Sequence, residues 1–151
     1  MGQCLSCIFI NDKKSTLLKA DSSTVDFFTF DGYITDAKVV HVYDGDSVHI
    51  IFYHPDTDKL IKVKTRLYGI DTPELRVKEQ KERALKAKKH LIGLLEIDKY
   101  LVRVECKHFD KYGRLLVILY SSQFDTSLND KLVEDGHAYR YFGDTKKTWE
   151  N

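Results

Sequence analysis

The sequence lacks a large net charge and a disulfide framework. Its 24 Lys and Arg against 23 Asp and Glu leave a net charge of +1. No overall positive field therefore attracts nucleic acid, and any such attraction must come from a local patch. The cysteines are only Cys4, Cys7 and Cys106, an odd set that excludes a paired disulfide scaffold. A chain of 151 residues can bury the core of one domain without such cross-links.

Long apolar runs are also missing. The segment Leu115–Tyr120 is far too short to span a bilayer. Near the N-terminus, the apolar stretch Cys7–Ile10 is brief and is soon followed by Lys13 and Lys14. This pattern predicts no secretory leader.

Two acidic strings are the most informative feature that is present: Asp44-Gly45-Asp46-Ser47 and Asp71-Thr72-Pro73-Glu74. If the fold brings these four carboxylates together, they repel one another unless a cation joins them. Because no His or Cys lies beside them, Ca²⁺ or Mg²⁺ suits them better than zinc. Taken singly, the first string is equally typical of a hairpin turn and the second of a helix start.

Two arginines accompany these strings. Arg66 precedes the second string, and Arg114 ends the later run DKYGR. Arginine forks beside an acidic site commonly hold a phosphate. Metal, base and paired arginines together predict phosphodiester cleavage. The alternative for Arg66 is a salt bridge to Glu74 or to an aspartate.

Periodicity predicts an α+β domain with an N-terminal half dominated by strands. Five strands are predicted. Runs rich in Val and Ile predict those at Ala37–Tyr43 and Ser47–Tyr53, alternation predicts the one at Leu60–Tyr68, and two more follow at Tyr100–Lys107 and Leu115–Tyr120. A stripe at the helical period predicts one long helix after Glu74, with an apolar face made of Ala84, Leu85, Leu91, Ile92 and Leu95. A short helix is predicted from Ser127 to Glu134, ending at Gly136.

Four motifs in a fixed order carry a family resemblance: DGDS from Asp44, TRLYGIDTPE from Thr65, DKYGR from Asp110 and LNDKLVEDGHA from Leu128. With this order, residues 37–142 resemble the staphylococcal-nuclease-like (thermonuclease) family. The resemblance implies a β-barrel with helices, specifically a five-stranded OB-fold of the staphylococcal nuclease type, with one long and one short helix. We expect three parts: an N-terminal extension at 1–32, the nuclease domain at 33–143 and a tail at 144–151.

The resemblance also implies roles for individual residues. Ca²⁺ would be the cofactor, bound by the carboxylates of Asp46 and Asp71 and by the backbone carbonyl of Thr72. Glu74 would be the general base, and Arg66 and Arg114 would hold the scissile phosphate of DNA or RNA.

Substrate contacts are implied in two further places. Lys111 and Tyr112 match positions that contact the nucleotide, although turn chemistry explains them equally well. Tyr141, in a stretch with Tyr139 and Phe142, matches an aromatic position near the base, where stacking tolerates any sequence.

The chain departs from the family type in three ways. The segment between Glu74 and the long helix is short, a final C-terminal helix is missing, and Ser47 replaces a commoner Thr. None of these changes affects a charged catalytic position.

The N-terminus carries a lipidation pattern. Gly2 and Ser6 fit N-myristoylation, and Cys4 and Cys7 lie where palmitoylation would supply the second anchor that myristate needs. The pattern predicts a protein at the cytoplasmic face of a membrane, or otherwise in the cytoplasm. The alternative is an unmodified tail.

Two classes of function follow. The leading hypothesis is a Ca²⁺-dependent endonuclease with little sequence preference. The alternative is a noncatalytic OB-fold module that binds nucleic acid, or an interaction protein anchored to a membrane.

Overall fold

Five strands close into a barrel in the order β1-β2-β3-β6-β5. The computed structural model describes residues 5–147 and 149, with the backbone alone for residues 5–11. The barrel strands are β1 (Ile34–Val42), β2 (Ser47–Tyr53), β3 (Leu60–Leu67), β5 (Leu101–Phe109) and β6 (Leu115–Tyr120). Only β3 and β6 pair in parallel, and the other neighbours are antiparallel.

The remaining elements surround this barrel. A two-stranded sheet joins β4 (Ile70–Asp71) to β7 (Tyr139–Arg140). The helices are α1 (Leu5–Lys19), α2 (Lys81–Ile97) and α3 (Leu128–Glu134), with a 3₁₀ turn at Lys78–Gln80. This closed five-stranded mixed barrel confirms the predicted fold class, although the described residues contain three helices rather than two.

Side-chain alternation places the core inside the barrel. In β3, Thr65 and Leu67 are buried, whereas Lys62 and Lys64 are exposed, as the period of two predicts. The predicted fourth strand begins one residue late because Tyr100 has a positive φ of 65°, which belongs to a turn. Cys106 is fully buried in β5, as its place in an apolar strand predicts.

Helix α2 covers the core with a face slightly rotated from the predicted one. Its buried residues are Ala84, Ala87, Leu91, Leu94 and Leu95. The assignment of Leu85 to this face was wrong, since 49% of that residue is exposed. Helix α3 begins after Ser127, whose side chain accepts a hydrogen bond from the N–H of Asp130, and is followed by Gly136 at a φ of 75°.

The polar composition of residues 11–23 predicts a linker, but residues up to Lys19 belong to helix α1 of the N-terminal extension. Of the three phenylalanines that follow, Phe30 is buried against Phe52 and Phe28 contacts Phe30 at a ring distance of 4.8 Å. Their aromatic side chains predict that all three pack on the domain, but this is wrong for Phe27, which is fully exposed. Within residues 5–147 and 149, no helix is long and apolar enough to cross a membrane.

The β1–β2 turn approaches α2 too closely for a side chain at Gly45. A Cβ atom there would lie 2.9 Å from the Cβ of Ala87 and 3.0 Å from the side chain of Thr72. Gly93, in contrast, lies exposed within α2 with open space around it. Gly45 is therefore required by packing, which also holds the first acidic string against the second.

We expect Gly45→Ala to lower the free energy of unfolding by about 1–3 kcal/mol, because two elements must separate to admit the methyl group. The matched control Gly93→Ala should raise it by up to about 1 kcal/mol through helix propensity. Urea unfolding monitored by circular dichroism measures both. Equal stability of Gly45→Ala and the parent would contradict the close packing.

Candidate active site

The barrel brings the two acidic strings to the same end of β2 and β3. Asp46 immediately precedes β2, and Asp71 ends β4 shortly after β3. Since β2 and β3 are antiparallel, with Ser47 opposite Arg66, the start of one strand lies beside the end of the other. The N–H of Leu67 donates to the carbonyl of Asp46 at 2.7 Å and fixes this junction.

Arg66 joins the two buried aspartates. Its Nη1 lies 3.0 Å from Oδ1 of Asp46, and its Nη2 lies 2.6 Å from Oδ1 of Asp71. The aspartates are 3% and 2% exposed. Nη2 also donates to the carbonyl of Ile70 at 3.3 Å. The arrangement satisfies the salt-bridge alternative for Arg66 and places the arginine inside the acidic cluster.

Asp46 has further partners on both carboxylate oxygens. The Ser47 hydroxyl donates to Oδ1 at 3.0 Å, and the N–H of Thr72 donates to Oδ2 at 3.1 Å. Burial, only partly opposed by Arg66 and reinforced by the nearby Asp44 and Asp71, raises the pKa of Asp46 to about 7. Burial would lower the pKa of Arg66, but the two aspartates outweigh it and raise that pKa. A single guanidinium thus does not fully compensate the cluster.

Tyr139 approaches Asp71 from β7. Its hydroxyl donates to Oδ2 of Asp71 at 2.9 Å. Burial, together with that hydrogen bond, raises the pKa of Tyr139 to about 12. The tyrosine is therefore a fixed hydrogen-bond donor to the carboxylate at neutral pH.

The C-terminal segment crosses the site and supplies a second cation. Nζ of Lys146 lies 3.2 Å from Oδ1 of Asp71 and 2.6 Å from Oε1 of Glu74. The N–H of Lys147 donates to the Tyr139 hydroxyl at 3.1 Å, and the Trp149 ring lies 5.1 Å from that tyrosine. Sequence reasoning treated residues 144–151 as a tail. Two adjacent lysines were the only signal there, and they do not distinguish a site residue from a tail.

Glu74 is the most accessible acid of the cluster. Its side chain is 51% exposed, whereas those of Asp46 and Asp71 are nearly inaccessible. The backbone N–H of Glu74 donates to Oε1 of Gln80 at 2.9 Å, which holds the segment against the start of α2. The carboxylate therefore faces solvent beside the buried pair.

Arg114 is held in its own turn rather than in the acidic cluster. Nη2 of Arg114 lies 2.7 Å from Oδ2 of Asp110, whose Oδ1 accepts the N–H groups of Tyr112 and Arg114. Burial raises the pKa of Asp110, but these hydrogen bonds outweigh it and lower that pKa. Among the described residues, Arg114 forms no ion pair with Asp46, Asp71 or Glu74.

This turn nevertheless precedes the strand that neighbours β3. Leu115 lies beside Thr65 in the parallel β3–β6 pair, so the preceding Arg114 lies beside Lys64, two residues before Arg66. The Arg114 guanidinium and the Lys111 ammonium lie 5.4 and 5.1 Å from the centroid of the Tyr112 ring. Tyr112 is 71% exposed. The turn presents two cations around one accessible aromatic ring.

The other residues of interest are distributed differently. Tyr141 is half-buried, donates its N–H to the Gly69 carbonyl at 3.0 Å and lies 6.5 Å, ring to ring, from Tyr139. Gly2 and Cys4 lie outside the described residues, and Cys7 belongs to α1. The lipidation hypothesis therefore stays a prediction.

The donor set fits Ca²⁺ in chemical type. Asp46 and Asp71 contribute hard carboxylate oxygens, and the backbone of Thr72 lies directly against Asp46. The incompletely compensated burial of Asp46 favours an additional cation. No group of three or more His, Cys, Asp or Glu side chains in the described part of the chain is arranged to hold a metal ion. A bound ion would have two carboxylates at most from the buried pair and would need water ligands.

We expect Arg66→Met to destabilise the protein by about 3–5 kcal/mol, because it leaves two buried carboxylates without their shared partner. In an Asp46→Asn/Asp71→Asn background the same change should cost only about 1 kcal/mol, the value of hydrogen bonds lost. Arg103→Met is the matched control, since Arg103 is 70% exposed and lies 3.8 Å from Asp36. Unfolding by guanidinium in the presence of chelator gives the change in free energy of unfolding for Arg66→Met in each background and for Arg103→Met. An equal cost in both backgrounds would show that Arg66 does not act by compensating the aspartates.

Comparison with known proteins identifies the family. Residues 64–151, more than half of the chain, match the family model described as staphylococcal nuclease homologue. The matched segment includes Arg66, Asp71, Glu74 and Arg114, whereas Asp46 precedes it. No curated protein matches the chain. Members of the family are generally nucleases and typically depend on Ca²⁺. With its closed five-stranded barrel and this match, the chain belongs to the staphylococcal nuclease homologue family.

Proposed function

We propose that the protein hydrolyses phosphodiester bonds of DNA or RNA with little sequence preference. One observation carries the proposal. The fold brings together, at one end of β2 and β3, four residues separated by up to 28 positions: Asp46, Arg66, Asp71 and Glu74. The nuclease character of the family supports the same reaction class.

Glu74 is the proposed general base. Its carboxylate takes a proton from a water molecule whose oxygen attacks the phosphorus. The P–O bond to the departing sugar breaks, and the sugar oxygen gains a proton from solvent. The exposure of Glu74 permits such a role. The Lys146 ammonium lies 2.6 Å from Oε1 of Glu74, so the other carboxylate oxygen is the one that accepts the proton while this ion pair is formed.

The two arginines are proposed to act on the phosphate from different sides. Phosphoryl transfer depends mainly on positioning and on stabilisation of charge at the phosphate oxygens. Arg66 is anchored by Asp46 and Asp71, so its position is fixed before substrate arrives. Arg114 is 29% exposed and can exchange its bond to Asp110 for one to the phosphate.

Asp46, Asp71 and the carbonyl of Thr72 would hold Ca²⁺, which supplies positive charge at the phosphate and lowers the pKa of nearby water. In the protein's own structure, Arg66 and Lys146 provide the positive charge at these carboxylates.

A noncatalytic binding module is the second candidate. The same ion pairs favour it. Lys146 is paired with Glu74, the proposed base, and Arg66 is paired with Asp46 and Asp71, the proposed metal ligands. Such a module would bind nucleic acid without cleaving it.

We expect Glu74→Gln and Arg114→Gln each to reduce cleavage of a labelled oligonucleotide by about 100-fold or more, because each removes a group that acts in the transition state. Digestion is measured with Ca²⁺, with Mg²⁺ and with chelator side by side. Cleavage should require Ca²⁺.

Exposed residues with no contact to the site serve as matched controls. Glu82→Gln, whose side chain is 83% exposed, and Arg103→Gln should cleave like the parent. Undiminished activity of Glu74→Gln would refute its role as the base. A parent that binds the oligonucleotide but never cleaves it would establish the noncatalytic alternative.

We further propose that Gly2 is myristoylated and that Cys4 or Cys7 is palmitoylated, placing the enzyme at the cytoplasmic face of a membrane. Myristate alone binds membranes with an association constant of about 10⁴ M⁻¹, so both lipids are needed. In fractionated eukaryotic cells, the parent should sediment with membranes and Gly2→Ala should become soluble. Equal solubility of the two proteins would exclude the anchor.

A further inference from the structure

The outer face of the barrel carries a cluster of basic residues beside the proposed active site. It consists of His41, His49, Lys62 and Lys64, named here the basic strip. His41 lies opposite His49 across β1 and β2, and His49 lies opposite Lys64 across β2 and β3. The two imidazole rings are 5.0 Å apart. Lys62 is the next outward-facing residue of β3 and lies opposite Ile51.

The strands of the strip contain little acid to balance it. Neither β2 nor β3 contains an Asp or Glu, and Asp36, the one acid of β1, lies opposite Arg103 of β5. Among the described residues, Lys62 and Lys64 form no ion pair. Burial lowers the pKa of His49, and its basic neighbours His41, Lys64 and Lys62 lower it further. Such uncompensated positive charge on an exposed sheet face suits an anionic partner.

The strip is continuous with the proposed catalytic arginines. Lys64 and Arg66 alternate along β3 on the same side, about 6.8 Å apart, and Lys62 follows at the same spacing. In the parallel β3–β6 pair, Leu115 lies beside Thr65, so Arg114 lies beside Lys64. A chain of phosphates held at Arg66 and Arg114 therefore meets Lys64 and Lys62 next.

One exposed aromatic ring and two acidic residues mark where the strip ends. Tyr53 lies opposite Leu60 beyond Lys62, and these two residues are 55% and 61% exposed. The β2–β3 turn that follows contains Asp56 and Asp58. A base can stack on Tyr53, whereas a phosphate would be repelled at the turn. The usable path from Arg66 to Lys62 spans about 14 Å.

We infer that the basic strip binds the backbone of a single-stranded nucleic acid on one side of the cleavage position. The inference rests on the proposed function, because only a nuclease has a cleavage position. A single strand is favoured over a duplex because its bases are free to stack on an exposed ring such as Tyr53. The strip thus makes cleavage depend on strand length, since only substrates that extend beyond the arginines reach Lys64 and Lys62.

Binding in chelator tests the strip without requiring cleavage. Fluorescence anisotropy is measured for labelled oligothymidylates of two to twelve nucleotides, at several salt concentrations, with the parent and with Lys62→Gln/Lys64→Gln. Affinity of the parent should rise with length until the strip is filled. In the variant this gain should be lost, and the slope of log affinity against log salt should fall by about 1.4, the value for two phosphate contacts on a single strand.

The control must remove the same charge from elsewhere. Lys89→Gln/Lys99→Gln does so, because both lysines are exposed and lie in or just after α2. Its length dependence and salt slope should match those of the parent. Circular dichroism melting of both double variants checks that the fold is retained.

The outcomes separate this inference from the proposed function. Parent-like binding of long strands by Lys62→Gln/Lys64→Gln overturns the strip, whether or not the protein cleaves. Loss of the length dependence supports it, even in a protein without nuclease activity. If the variant binds oligonucleotides normally but loses affinity for phosphatidylserine vesicles, the strip faces a membrane and the inference is wrong.

Discussion

The ion pairs of Arg66 are the constraint on which the site depends. Asp46 and Asp71 are almost inaccessible to water, and two buried carboxylates cannot remain charged together without a cation. Arg66 meets this need because β3 places it opposite Ser47, at the junction of both acidic strings. The barrel thus buries two carboxylates and also supplies the arginine that compensates their charge. The same arginine, fixed before substrate arrives, is well placed to hold a phosphate.

A second cation, Lys146, completes this balance from outside the barrel. Its ammonium lies between Asp71 and Glu74. A bound divalent ion, or the enzyme with its phosphate substrate, would need these carboxylates free of the lysine. Tyr139 and Trp149 pack against one another and keep the segment over the site. In the proposed nuclease, Lys146 therefore competes with Ca²⁺ for Asp71, and the cost of displacing the lysine is part of the apparent affinity for the ion.

Much of the fold could be predicted because its signals are local. Alternation along β3, the Asp-Gly turn and Gly136 after α3 each act within a few residues, and the structure confirms them. Contacts between residues that are distant in the sequence were missed. Leu85 lies outside the buried face of α2 because the helix rotates to bring Ala87 against the β1–β2 turn. Lys146 was missed because it meets Glu74 across 72 positions. The bond from Arg114 to Asp110 was not predicted either, although it lies within one turn.

Ca²⁺ titration of the thermal midpoint tests most directly whether the buried aspartates form a cation site. Binding to the folded state alone at a hundredfold excess over Kd stabilises by about 2.7 kcal/mol, which corresponds to a rise of about 5–10 °C for a chain of this size. The parent should show this rise, Lys146→Met should reach it at lower Ca²⁺, and Asp46→Asn/Asp71→Asn should show none. A parent midpoint unchanged by millimolar Ca²⁺, or an equal rise in the double variant, would contradict the account.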